Sequence, residues 1–155
     1  MHLISGKTFN VHDYSANDFE IRDIAYALSM QCRWGGHTET WFSVAEHSVR
    51  VAELCMLNKD YALLHDASEY IFPDLPTPLK IVVPQYKAES DRLQEVINRY
   101  FGLTGPEPPI VKSMDLLIKD WEWRVYVKNK REAWSQEDAR RRFIDMAVSL
   151  FPGRL

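Results

Sequence analysis

Cysteine is scarce in this sequence, and long apolar runs are missing. The 155 residues include two cysteines, Cys32 and Cys55. They do not form a CxxC pair, and both fall within apolar helical patterns. We therefore expect two buried thiols of an intracellular protein and no disulfide.

No apolar run approaches the roughly 18 residues that a membrane-spanning helix needs. The N-terminus also lacks the apolar segment of a secretory signal peptide, so we expect a cytoplasmic protein with no membrane contact. A basic surplus is missing too, since the formal net charge is -3 and the sequence pI is about 5.9. This balance argues against binding of a nucleic-acid polymer, whereas a pocket for a free nucleotide needs only a few Arg or Lys residues.

Apolar residues are abundant in the chain and recur at helical spacing. Hydrophobic residues make up 46% and charged residues 26% of the sequence, which is typical of a globular protein. The length fits a single domain spanning residues 1–155. Ser43, followed by Glu46 three positions later, forms a capping box that predicts the start of a helix.

Helical spacing recurs along most of the chain, and no strand pattern is evident. Prolines and paired glycines predict a loop at 33–37, a stiff loop at 72–79 and another loop near 106–109. The sequence therefore predicts an all-α fold, a globular helical bundle of about six helices. The expected helices cover about 18–31, 43–57, 60–70, 85–101, 111–127 and 135–151.

Two imidazoles and two carboxylates occur at positions that suit a metal site. His65 and Asp66 are adjacent within one predicted helix, where both can reach one metal at the helix edge, and His47 lies on the preceding helix. Asp115 lies in an apolar stretch of a third helix, where a carboxylate is costly to bury unless it is paired or bound to metal. Because divalent ions accept imidazole nitrogen and carboxylate oxygen together, we expect these four residues to bind one ion.

In these motifs the sequence resembles the HD-domain phosphohydrolase superfamily, in which His, His-Asp and Asp lie on separate helices. The closer resemblance is to bacterial 5′-deoxynucleotidases and their phage relatives, some of which remove the whole triphosphate from dATP. The resemblance extends over about residues 21–123. It is carried by Arg33-Trp34, Glu46-His47-Ser48, His65-Asp66-Ala67-Ser68-Glu69, Asp74-Leu75-Pro76-Thr77-Pro78-Leu79-Lys80 and Asp115.

The resemblance implies two catalytic carboxylates. Glu69 follows His65 by four positions, so in a continuous helix both would project from one face, where Glu69 can orient or deprotonate the attacking water. Asp74, in the proline-rich loop, is the expected general acid or base partner.

Five further residues are implied as substrate contacts. Arg33 and Lys80 are expected to bind phosphates, because a guanidinium fork and an ammonium group both suit phosphate oxygens. Trp34 is expected to pack near the sugar and to exclude a 2′-hydroxyl. Gly36 would let the backbone approach the base, and His37 would contact the phosphates or the water.

The predicted function is a metal-dependent dATP triphosphohydrolase that releases deoxyadenosine and triphosphate. Two alternatives stay open: a 5′-deoxynucleotidase that releases phosphate from dNMPs, and a non-catalytic nucleotide-binding module. A cyclic-nucleotide phosphodiesterase is less favoured because the chain is compact. The expected partners are a small-molecule deoxynucleotide, a divalent ion (Zn, Co, Mn, Fe or Mg) and further copies of the chain. A phage-encoded protein would act in the host cytoplasm.

Overall fold

Seven α-helices account for most of residues 1–128 and 132–154, the part of the chain that the computed structural model describes. No strand occurs within these ranges, where only two isolated β-bridges are present, so the predicted all-α class is confirmed. No helix among these residues combines the length and the apolar character needed to cross a membrane. The helices are α1 (Ile21–Ser29), α2 (Val44–Leu54), α3 (Lys59–Leu64), α4 (Thr77–Val82), α5 (Pro84–Tyr100), α6 (Pro109–Glu122) and α7 (Gln136–Leu150).

Helix α2 lies at the centre of the core and contacts α1, α3, α6 and α7. Its start is where the sequence predicts it, and the Ser43 hydroxyl caps it by accepting a hydrogen bond of 3.1 Å from the Glu46 amide. A cap of this kind stabilises a protein by about 1 kcal/mol. The Glu46 carboxylate bonds Arg50 and the Trp134 amide, so the second half of the predicted capping box is not seen among the described residues. Both cysteines are free thiols, as predicted, but the predicted burial holds only for Cys55, directly after α2, because Cys32 is half-buried.

The predicted helix over 60–70 is wrong in its second half. Helix α3 ends at Leu64, and a short 3₁₀ helix follows at Ala67–Tyr70. At Asp66 the backbone leaves the helical region, with φ -109° and ψ 20°. His65 and Glu69 therefore do not share one face of a continuous helix. The turn at Asp66 separates them, so four-residue spacing no longer sets their relative direction.

Proline starts helices in this chain as well as ending them. The stretch expected to be a loop up to Leu79 becomes helical at Thr77, with Pro78 in the first turn of α4. Helices α5 and α6 begin at Pro84 and Pro109. The missing amide hydrogen of proline is harmless there, because the first amides of a helix have no intrahelical acceptor.

Candidate metal centre

Three helices bring the four predicted metal ligands to one place. We call these residues the His/Asp cluster: His47 on α2, His65 and Asp66 after α3, and Asp115 on α6. The Nε2 atom of His47 lies 3.2 Å from Nε2 of His65 and 3.3 Å from Oδ1 of Asp115. The ligand atoms of these three residues all lie within 4.8 Å of one another, so the group could hold a metal ion. Oδ2 of Asp66 lies 3.3 Å from His65 Nε2 and 3.6 Å from His47 Nε2.

The orientation of both imidazoles fits a cation. His47 donates from Nδ1 to Oε1 of Glu122 at 2.5 Å, and His65 donates from Nδ1 to the Ala62 carbonyl at 2.7 Å. When each ring is neutral, with its proton on Nδ1, the Nε2 lone pairs face each other and the carboxylates. Such a group of acceptors repels itself unless a positive charge lies among them. Two nitrogens that each lie about 2.1 Å from one ion are about 3.0–3.4 Å apart for angles between octahedral and tetrahedral, a range that includes the observed separation.

The electrostatics of the cluster also favour positive charge. Burial by itself would lower the pKa of His65, but Asp66, Asp115 and the bond to the Ala62 carbonyl together outweigh it and raise this pKa to about 9, so that without an ion a proton provides the positive charge. For Asp115, burial opposes ionisation, yet the neighbouring His47, His65 and Lys112 side chains hold its pKa well below the usual range. The carboxylates are therefore ionised at neutral pH and available as ligands.

A cavity of about 540 Å³ opens beside Asp66 and Asp115. Its size suits a small-molecule ligand. Within the described residues, its walls carry five cationic side chains and four carboxylates. The cations are Arg33, Lys80, Lys87, Lys112 and Lys119, and the carboxylates are Asp66, Glu69, Asp74 and Asp115.

The two predicted catalytic carboxylates meet at one lysine in this cavity. Lys80 Nζ lies 3.4 Å from Oε1 of Glu69 and 3.5 Å from Oδ1 of Asp74. Glu69 is 5% exposed, and its Oε2 atom has no hydrogen-bond partner among the described residues. Burial raises the pKa of Glu69 well above its usual value, and the negative charges of Asp66 and Asp74 raise it further. Glu69 thus lines the cavity with a carboxyl group whose Oε2 atom is buried and lacks a hydrogen-bond partner among the described residues.

Arg33 and Trp34 also reach the cavity. Arg33 is only 4% exposed, and its NH1 atom lies 3.6 Å from Oδ2 of Asp66. Trp34 has a left-handed backbone with φ 59°, and its ring centroid lies 5.4 Å from that of Trp123. The structure therefore places the predicted phosphate-binding guanidinium and the predicted sugar-contacting ring in one cavity wall.

Gly36 and His37 lie apart from these residues. Both are exposed, and neither lines the cavity. At Gly36, φ is 80°, a value that glycine adopts readily, and an added Cβ would meet no atom within 4 Å. The turn itself explains this glycine, and the substrate contacts of both residues stay predictions.

Four residues were missed by sequence reasoning. Glu122 contacts both His47 and Arg33, while Lys87, Lys112 and Lys119 line the cavity. A signal for Glu122 exists, because it recurs with Asp115 in the spacing of one helical face. That face of α6 is buried and consists of Val111, Asp115, Ile118 and Glu122.

Fold and site together define an all-α protein with a buried His/Asp group that could hold a metal ion. No protein-family model matches the chain. It is 37% identical over 121 residues to the uncharacterized protein YfdR of Escherichia coli, across 77% of this chain and 68% of YfdR. The chain therefore belongs to the same family as YfdR.

A second relative is an uncharacterized protein of Rhodobacter capsulatus. It is also 37% identical over 121 residues, and the match covers 71% of this chain and 62% of that protein. The chain thus spans less than two thirds of this relative's length. Neither relative's name states an activity, so a function has to be argued from the site.

Proposed function

We propose that the protein is a metal-dependent phosphohydrolase of the HD type that acts on deoxynucleotides. The observation that carries this proposal is the convergence of His47, His65 and Asp115, with Asp66 beside both imidazoles, next to a cavity rich in cations. A divalent ion bound by this cluster would polarise a phosphoryl oxygen and make a coordinated water more acidic. Mixed imidazole and carboxylate ligands suit Zn, Co, Mn or Fe, and Mg less well.

The chain supplies an acid–base pair for hydrolysis. Glu69 lines the cavity and has an unpartnered Oε2 atom, and its raised pKa makes the ionised carboxylate a stronger base for the proton of an attacking water. Asp74 shares Lys80 with Glu69 and is the candidate proton donor to the departing sugar oxygen. Lys80 holds the two carboxylates close together while balancing their charge.

Substrate binding is assigned to the cations and to Trp34. Arg33 can present its guanidinium fork to the phosphate nearest the sugar, and Lys80 can add a point charge. In this proposal Trp34 packs against the sugar and leaves no room for a 2′-hydroxyl. Gly36 and His37 would need to move towards the cavity to touch the base or the phosphates.

The charge of the cavity favours a triphosphate over a monophosphate. Its walls carry one more cation than carboxylates before any metal is counted. Lys112 pairs with Asp115 at 2.6 Å, whereas Lys119 has no ion pair among the described residues and lies two turns further along α6. Lys119 is thus free to bind phosphates beyond the first. We infer hydrolysis of dATP to deoxyadenosine and triphosphate. The choice of adenine as the base rests on the resemblance to the phage enzymes.

The decisive experiment incubates the purified protein with each dNTP and each dNMP in the presence of Co²⁺ or Mn²⁺, followed by chromatography of the products. We expect deoxyadenosine and triphosphate from dATP. Phosphate released from dNMPs alone would establish the 5′-deoxynucleotidase instead.

Asp115→Asn should abolish turnover, because it removes a charged ligand. Asp120→Asn is the matched control, since Asp120 lies on the same helix with an exposed side chain. Binding of nucleotides without hydrolysis under any metal would support the non-catalytic module.

A further inference from the structure

Glu122, the last residue of α6, contacts two functional residues with its two carboxylate oxygens. Oε1 accepts a hydrogen bond from Nδ1 of His47 at 2.5 Å, and Oε2 accepts one from Nε of Arg33 at 3.1 Å. Its side chain is fully buried. A carboxylate this deep in a protein is unfavourable unless its charge and its hydrogen bonds are matched.

We propose that Glu122 is a positioning residue that couples metal binding by His47 to phosphate binding by Arg33. The inference rests on the proposed function, since it takes His47 as a metal ligand and Arg33 as a phosphate contact. It adds a residue that the sequence motifs do not include. It also predicts that the two binding events depend on one side chain.

On the metal side, Glu122 fixes the state of the His47 ring. Accepting the Nδ1 proton leaves the Nε2 lone pair for the ion and holds the ring plane towards His65 and Asp115. A carboxylate partner also makes the opposite nitrogen a better ligand, and loss of such a partner typically weakens metal binding about 10–100-fold.

On the phosphate side, Glu122 fixes the guanidinium plane. Arg33 is 4% exposed yet lines the cavity, so its position depends on buried counter-charges. Glu122 bonds Nε of Arg33, and Asp66 lies 3.6 Å from NH1 of Arg33. These contacts hold the guanidinium at the cavity wall beside the His/Asp cluster. A phosphate that contacts an ion in the cluster would also reach this guanidinium.

Glutamine at this position cannot replace both contacts. Its amide has one acceptor oxygen and one NH₂ group, whereas His47 Nδ1 and Arg33 Nε are both donors. Glu122→Gln therefore loses one hydrogen bond and the negative charge opposite Arg33. A merely structural role predicts lower stability only, while a positioning role predicts weaker ligand binding by the folded protein.

The test compares wild type, Glu122→Gln and the exposed control Asp120→Asn by titration calorimetry. Mn²⁺ is titrated first, and inorganic phosphate is then titrated into the metal-loaded proteins. We expect Glu122→Gln to bind Mn²⁺ about 10–100-fold more weakly and phosphate more weakly, with wild-type values for Asp120→Asn. If folded Glu122→Gln binds Mn²⁺ and phosphate as tightly as wild type, the inference about Glu122 is overturned, while the proposed function is unaffected. Absence of metal binding in wild type would overturn the proposed function as well.

A second measurement needs no variant. In zinc-loaded, ¹⁵N-labelled wild type, we expect His47 to keep its Nδ1 proton, shifted downfield by the short hydrogen bond to Glu122. An unprotonated or zinc-bound Nδ1 on His47 would overturn the inference even if Glu122→Gln failed to fold.

Discussion

The Nε2 atoms of His47 and His65 lie 3.2 Å apart, although the residues are 18 positions apart in the chain and lie on different elements. Packing of α2 against α3 creates this proximity. Each ring donates from its other nitrogen to a fixed acceptor, so neither Nε2 atom needs to carry a proton. Both Nε2 atoms could therefore bind one ion.

Metal binding should therefore stabilise the folded protein. At a concentration 100 times the Kd, a ligand that binds only the folded state adds about 2.7 kcal/mol. For a chain of this size each kcal/mol corresponds to roughly 2–4 °C in Tm, so a rise of roughly 5–10 °C is expected. Calorimetric scans with Mn²⁺ or Zn²⁺ and with a chelator would measure it. His65→Ala should remove the difference, and a wild-type Tm unaffected by either metal would contradict the prediction.

Glu69→Gln should lower turnover by about 10²–10⁴-fold, because the amide cannot accept the proton of the attacking water. Metal affinity should change little, since Glu69 lies outside the His/Asp cluster. Steady-state rates and Mn²⁺ titration would separate the two effects. Glu95→Gln, an exposed change on α5, serves as the control, and full activity of Glu69→Gln would remove Glu69 from the mechanism.

Lys119→Ala should discriminate between phosphate chain lengths. A charge-assisted hydrogen bond contributes about 1.5–3 kcal/mol, which corresponds to a roughly 10–150-fold higher KM for dATP. Binding of dAMP should be unchanged, because its single phosphate lies at the metal. Lys59→Ala at the start of α3, outside the cavity, is the matched control. Equal effects on dATP and dAMP would count against a triphosphate tail at Lys119.

Alkaline pH should destabilise the fold through Tyr14. Burial raises the pKa of Tyr14 from 10.0 to about 12, and the hydrogen bond that its hydroxyl donates to Glu89 at 2.7 Å adds to the effect. A folded-state pKa above the unfolded value means that this stabilisation is complete below pH 10 and is lost as pH rises through 12. Absorbance at 295 nm and urea unfolding between pH 9 and 12 would test it. Tyr14→Phe should reduce the pH dependence, and an unaltered profile would refute the assignment.

Much of the fold follows from local patterns that neighbouring residues create. The cap at Ser43 and the apolar spacing of α2 depend on contacts within a few positions, and both are present as predicted. The end of α3 was harder to predict, because His65 and Asp66 continue the helical pattern in sequence. Their side chains instead meet His47, and the backbone leaves helical geometry at Asp66.

The sequence by itself determined the all-α class and which imidazoles and carboxylates are available for one ion, since motif spacing and helical periodicity are properties of the chain. Only the tertiary structure decided that Glu122 supports both His47 and Arg33, that Lys112 and Lys119 face the cavity, and that Gly36 and His37 lie outside it. His47 and Glu122 are 75 positions apart. No local pattern specifies such a contact, because it depends on how α6 packs against α2.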